Sequence, residues 1–125
     1  MADIIQNEKI ALQTVIGLKF VNKSDIVLIQ YVATAADSKL TWTVMLNSGD
    51  TIRLKLNNTA KDILTSLNRS NYVQINQTVI LNIDYLSTIE LKTRKCVLVS
   101  PFEKYEYYVS RLFLKNIRKQ YELNL

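Results

Sequence analysis

Apolar and polar residues alternate with a period of two in short runs along much of the chain, which predicts a mostly-β protein. Ile10 to Thr14 and Leu18 to Val21 flank Val15-Ile16-Gly17, and Gly17 can take the positive φ of a tight turn, so this region reads as a hairpin. Asp25 to Tyr31 is rich in β-branched residues and fits a strand buried on both faces. Ala33 to Lys39, small and polar, reads as a loop. Leu40 to Leu46 alternates about Trp42, Val44 and Leu46, and Thr51 to Leu56 alternates Ile52, Leu54 and Leu56. Asn47-Ser48-Gly49-Asp50 joins these two runs as a second hairpin.

One short central helix is predicted from Thr59 to about Asn68. Thr59 with Asp62 resembles a capping box, and Ile63, Leu64 and Leu67 recur at helical spacing. The chain returns to extended structure at Tyr72. Ile83 to Val99 reads as two strands around the charged turn Lys92-Thr93-Arg94-Lys95, and Glu106 to Ser110 as another strand. A C-terminal amphipathic helix follows, with Phe113, Leu114, Ile117 and Tyr121 on one face and Arg111, Lys115 and Arg118 on the other.

Tyr72 to Leu86 carries the most informative interruption of this pattern. Val73 and Ile75 on one side, and Val79, Ile80 and Leu81 on the other, anchor the segment in a core, and Asn76, Gln77 and Thr78 are held up to solvent between them. A carboxamide presents a donor and an acceptor together, which matches the paired groups on an adenine edge in the major groove. Arg111, Lys115, Arg118 and Lys119 lie in a stretch with no acidic residue between them and suit phosphate contacts. Cations for phosphates and amides for base edges are what a groove-binding surface requires.

Composition narrows the picture further. A chain of 125 residues with 48% hydrophobic content supports one globular unit spanning 1–125, and a formal charge of +5 favours polyanionic partners. With no histidine, one cysteine and no glycine-rich phosphate loop, hydrolytic triads and the usual zinc sites are excluded, and we expect neither enzyme activity nor a metal, cofactor or small-molecule substrate. Cys96 has no intrachain partner and suits a reducing compartment, with a packing role in a strand. No apolar run reaches the roughly 20 residues of a membrane span, so a cytoplasmic protein is expected. Tyr105, Tyr107 and Tyr108 beside Lys104 offer a weaker signal for stacking on single-stranded bases.

From about Lys9 to Tyr121 the chain resembles the LytTR family of bacterial DNA-binding domains. Asp25-Ile26-Val27-Leu28-Ile29-Gln30-Tyr31 is similar to the family's "DIxYIEA" segment. Tyr72 to Leu86 is similar to "FxRIHRSYIVNLxYI", and Val109 to Ile117 to the terminal "VSRRYxKxL" pattern. The resemblance implies small antiparallel sheets in an elongated arrangement, with loops entering successive major grooves of double-stranded DNA. Carried over by position, the base-reading site falls on Gln77 with Asn76 and Thr78 beside it. The terminal site falls on Ser110, Arg111 and Leu112, and the early loop contact near Ser38 or Lys39. Asn-Gln-Thr stands where the family has His-Arg-Ser, and Leu112 where some members have arginine.

The expected roles are therefore base contacts from Asn76, Gln77 and Arg111, and phosphate contacts from Lys39, Thr78, Ser110, Lys115 and Arg118. The expected function is that of a stand-alone transcriptional regulator, without a receiver or membrane domain, that binds repeated half-sites as two copies. The alternative is an interaction module of the same fold that has lost specific DNA recognition.

Overall fold

The computed structural model describes residues 8–34, 37–55, 59–67 and 71–123. Among the described residues, ten strands form three antiparallel sheets. β1 (Lys9–Thr14) and β2 (Gly17–Asn22) make the predicted hairpin, turning at Val15-Ile16 with Gly17 at φ 150°. The central sheet has the order β5-β4-β3-β7-β6. It comprises β3 (Ile26–Thr34), β4 (Asp37–Leu46), β5 (Thr51–Arg53), β6 (Tyr72–Asn76) and β7 (Val79–Asn82). β8 (Leu86–Ile89), β9 (Lys95–Leu98) and β10 (Tyr107–Tyr108) form the third sheet. The helices are α1 (Ala60–Leu67) and α2 (Arg111–Tyr121), neither long and apolar enough to cross a membrane.

Alternation on the central strands divides the core between the two faces of the five-stranded sheet. Ile29, Trp42, Val44 and Ile80 pack with Leu12 and Val21 of the hairpin and Ile63 and Leu67 of α1. Val27, Leu28, Val73, Ile75, Val79 and Leu81 pack on the other face with Cys96, Leu98, Val109 and Ile117. Burial on both faces explains the continuous apolar run of β3, in which a register shift between Ile26 and Leu28 re-aims the side chains.

The α1 capping box forms in full. The Thr59 amide donates to Asp62 Oδ2 at 3.2 Å, and the Asp62 amide donates to Thr59 Oγ1 at 3.2 Å. The expected end of this helix at Asn68 lies outside the described residues.

Four expectations are corrected. Ala33 to Lys39 is not a loop throughout: β3 and β4 stay paired as far as Thr34 and Asp37, and Ala35 and Ala36 lie outside the described residues. The strand expected to reach Leu56 leaves the ladder after Arg53. The Leu54 carbonyl accepts from the Thr41 hydroxyl at 2.8 Å, and the Lys55 amide donates to the Gln13 carbonyl at 2.9 Å; Leu56 lies outside the described residues. Asp25 and Ile83–Tyr85 belong to short 3-10 helices instead of strands. The strand expected over Glu106 to Ser110 shrinks to Tyr107–Tyr108, because the Val109 amide turns to the Arg94 carbonyl and Ser110 caps α2.

Cys96 sits in β9 with no exposed surface, and burial pushes its thiol up to about 11 despite a backbone hydrogen bond from Val109. The thiol is therefore protonated and shielded near neutrality. Native protein at pH 8 should leave a disulfide-exchange reagent unconsumed, whereas denatured protein consumes one equivalent; reaction of the native protein at the denatured rate would contradict the packing. Because the folded value lies above the ordinary one of 9.0, this group's contribution to stability is complete below pH 9 and is lost as pH rises toward 11.

Candidate nucleic-acid interface

Strand direction brings the candidate loops together. β3 is antiparallel to β4 and to β7, and β7 is antiparallel to β6. The β3–β4 hairpin end and the β6–β7 turn therefore lie at one end of the sheet, and the Asn47–Asp50 turn at the other. The start of α2 is fastened to the first end by two bonds. The Ser110 amide donates to the Ile75 carbonyl at 2.8 Å, and Asn76 Nδ2 donates to the Tyr108 carbonyl at 2.9 Å.

Within the turn, Asn76 is half-buried, and Gln77 and Thr78 are exposed. Asn76 Oδ1 accepts from the Thr78 amide at 2.9 Å and from the Thr78 hydroxyl at 3.1 Å, closing an Asx-type turn. The Thr78 carbonyl accepts from the Tyr31 amide at 2.8 Å and fixes the turn to β3. Since Oδ1 already accepts twice and Nδ2 holds Tyr108, the Asn76 amide does not present the free donor and acceptor that an adenine edge requires. The expectation that it faces solvent as a free reading group is corrected to a brace between turn and helix.

Gln77 stands at the exposed tip of the same turn. It borders a surface depression of about 490 Å³ with Tyr31, Trp42, Lys61 and Gln74. Arg111 is the first residue of α2 and borders a different depression, together with Arg94, Lys115 and Arg118. The two predicted reading groups thus extend from one braced junction toward separate depressions.

Ser110 is half-buried at the N-cap of α2, where its Oγ accepts from the Phe113 amide at 3.4 Å and its carbonyl accepts from the Leu114 amide at 2.8 Å. Lys115 is exposed on the face of α2 opposite Ile117. Arg118 is exposed but engaged with Glu122, its Nε and Nη2 each donating to a carboxylate oxygen at 2.9 Å. That bidentate bond raises the Arg118 value and lowers that of Glu122. Lys39 is exposed near the start of β4. Tyr107, expected as a stacking candidate, instead hydrogen-bonds Gln30 and has a raised phenol value, chiefly through burial.

Sequence reasoning missed two cations. Lys61 lies next to the helix start and borders the Gln77 depression, a placement that only the packing of α1 reveals. Arg94 was legible only as part of a charged turn, but it borders the α2 depression in a left-handed backbone conformation at φ 64°.

Comparison with known proteins converges on the same architecture. The LytTr DNA-binding domain family matches residues 17–122. A solved LytTr DNA-binding domain from Bacillus cereus is similar in fold, with a TM-score of 0.65 at 16% identity, over 92% of this chain and 97% of that one. No curated protein sequence matches. With the family pattern spanning the central sheet, the braced turn and the terminal helix, the chain belongs to the LytTr family of DNA-binding domains.

Proposed function

We propose that this protein is a transcriptional regulator that binds duplex DNA sequence-specifically through the end of the sheet where the β6–β7 turn meets α2. The observation that carries this reading is the pair of hydrogen bonds fastening Asn76 and Ile75 to Tyr108 and Ser110. It fixes an amide-bearing tip beside a basic helix, so that base-reading and phosphate-holding groups approach the duplex as one preorganised unit. Gln77 and Arg111 contact base edges, and Asn76 orients the tip between them. Lys39, Thr78, Ser110 and Lys115 contact phosphates, and Arg118 joins them by exchanging Glu122 for a phosphate oxygen.

A module of this size buries about 600–1,000 Å² on DNA, so useful affinity requires two copies on repeated half-sites. Sequence preference follows from Gln77, whose carboxamide favours adenine where an arginine would favour guanine.

Titration of a random-sequence duplex and of a duplex enriched from a random pool, each at two salt concentrations, tests the proposal. Binding to both should weaken as salt rises, and the enriched duplex should bind more tightly. Gln77→Ala should erase that preference. Lys115→Ala should weaken both duplexes alike and reduce the salt slope by about 0.9. Equal weakening of both duplexes by Gln77→Ala would contradict its assigned role, and absence of binding at low salt would overturn the proposal itself.

A further inference from the structure

Among the described residues, β2 pairs with β1 alone, and its outer edge meets no other strand. The outer side of β1 differs, because there the Gln13 carbonyl accepts from the Lys55 amide at 2.9 Å. Antiparallel pairing uses the backbone groups of alternate residues, so those of the others in β2 point away from the hairpin. Gly17, Leu18, Lys19 and Phe20 are exposed in succession, so the edge stands clear on both faces. Such an edge is a template for a further strand, and proteins ordinarily guard it with proline, charges or a bulge. β2 has no proline, its register with β1 is unbroken, and Lys19 is the one charge between Val15 and Val21.

The side chains along this edge are apolar. Leu12 and Val21 turn inward, so Leu18 and Phe20, each 63% exposed, lie with their cross-strand neighbours Gln13 and Ala11 on the face turned from the core. Val15 and Ile16 extend the surface at the hairpin tip, 80% and 95% exposed. The four side chains together offer on the order of 500 Å² of apolar surface, the size of the largest patch on a typical monomer. That falls short of the roughly 800 Å² per partner of a stable interface, so side chains alone give a weak contact and the backbone bonds of β2 must add to it.

A second copy of this chain suits both features. Recognition of a charged partner would require a cluster of opposite charges, and Lys19 stands by itself. Two β2 strands can pair antiparallel about a two-fold axis, which brings Leu18 and Phe20 of both copies onto one face as direct or diagonal neighbours. The bond from Lys55 obstructs the outer side of β1, so no further strand adds there and assembly closes at two. We propose that two copies of the protein join edge to edge through β2, forming a four-stranded sheet in the order β1-β2-β2-β1 with Leu18 and Phe20 packed across the joint. This inference deepens the DNA-binding reading by naming the surface that joins its two copies, and it stands on different residues.

Sedimentation equilibrium of the free protein from about 10 μM to about 1 mM covers weak pairing, and the mass should rise from 14.4 kDa toward twice that value. Phe20→Glu and Phe20→Lys each set like charges across the joint and should raise the dissociation constant at least about tenfold. Their thermal midpoints should stay near wild type, since Phe20 is exposed. An equimolar mixture of the two variants sets opposite charges across the same joint and should associate more tightly than either alone, which a mere loss of packing would not produce. A mass of 14.4 kDa throughout for wild type, wild-type association by both variants, or a mixture no tighter than its components overturns the proposal. Duplex binding by a protein that does not self-associate leaves the DNA-binding reading intact. Self-association without duplex binding defeats that reading and leaves this inference standing.

Discussion

Asn82→Leu should lower the free energy of unfolding by about 2–4 kcal/mol, the combined effect of an orphaned buried carbonyl and a lost cap. Asn82 is a fully buried polar side chain at the end of β7. Its Nδ2 donates to the Ile26 carbonyl at 2.8 Å, and its Oδ1 accepts from the Asp84 amide at 2.9 Å, where the chain enters a 3-10 helix. Leucine is close in size, so it leaves packing little changed and isolates the polar loss. The Ile26 carbonyl, on a residue with no exposed surface, then loses this donor where water cannot replace it. Asn82→Asp should be worse, since it keeps the acceptor for Asp84 but loses the donor and buries a charge. Urea unfolding measures both, and wild-type stability in Asn82→Leu would contradict the assignment.

The second large effect falls on recognition. Asn76→Ala should reduce affinity for the enriched duplex by about 5- to 150-fold, the discrimination carried by a well-placed pair of base contacts, with random-duplex affinity nearly unchanged. The substitution removes the acceptor that closes the turn over Thr78 and the donor that ties it to Tyr108, so Gln77 loses its fixed position relative to Arg111. Phosphate contacts from α2 persist because Ser110 still donates its amide to Ile75. Asn76→Asp separates the two functions of the brace, keeping the Thr78 bonds and losing the Tyr108 bond. Competition binding with enriched and random duplexes reads the outcome, and an undiminished preference in Asn76→Ala would show that Gln77 needs no brace.

Local chemistry made much of the fold legible. The capping box at Thr59 and Asp62 forms with both of its reciprocal bonds, because the interaction is confined to neighbouring residues and needs no knowledge of packing. Gly17 and Gly49 marked turns for a similar reason, each adopting a positive φ that sequence alone permits glycine. The Ala33 to Lys39 stretch misled because strand ladders are held by backbone bonds, which pair Thr34 with Asp37 without needing large apolar side chains.

The site was legible in its residue types and less so in their roles. Asn76 read as a free amide because its partner, the Tyr108 carbonyl, lies 32 residues away and no periodicity announces it. The same holds for Ser110, whose cap and amide bond to Ile75 depend on α2 beginning at Arg111. Arg94 was obscured for a different reason: arginine is an uncommon residue at positive φ, so its special conformation carries no compositional mark.

Amide-resolved NMR titration of isotope-labelled protein with the enriched duplex locates the DNA-facing surface residue by residue. The largest shifts should fall on Gln77, Thr78, Arg111 and Leu112, with smaller ones around Lys115. Shifts concentrated on Asn47–Asp50 at the opposite end of the central sheet, with the β6–β7 turn silent, would contradict this placement.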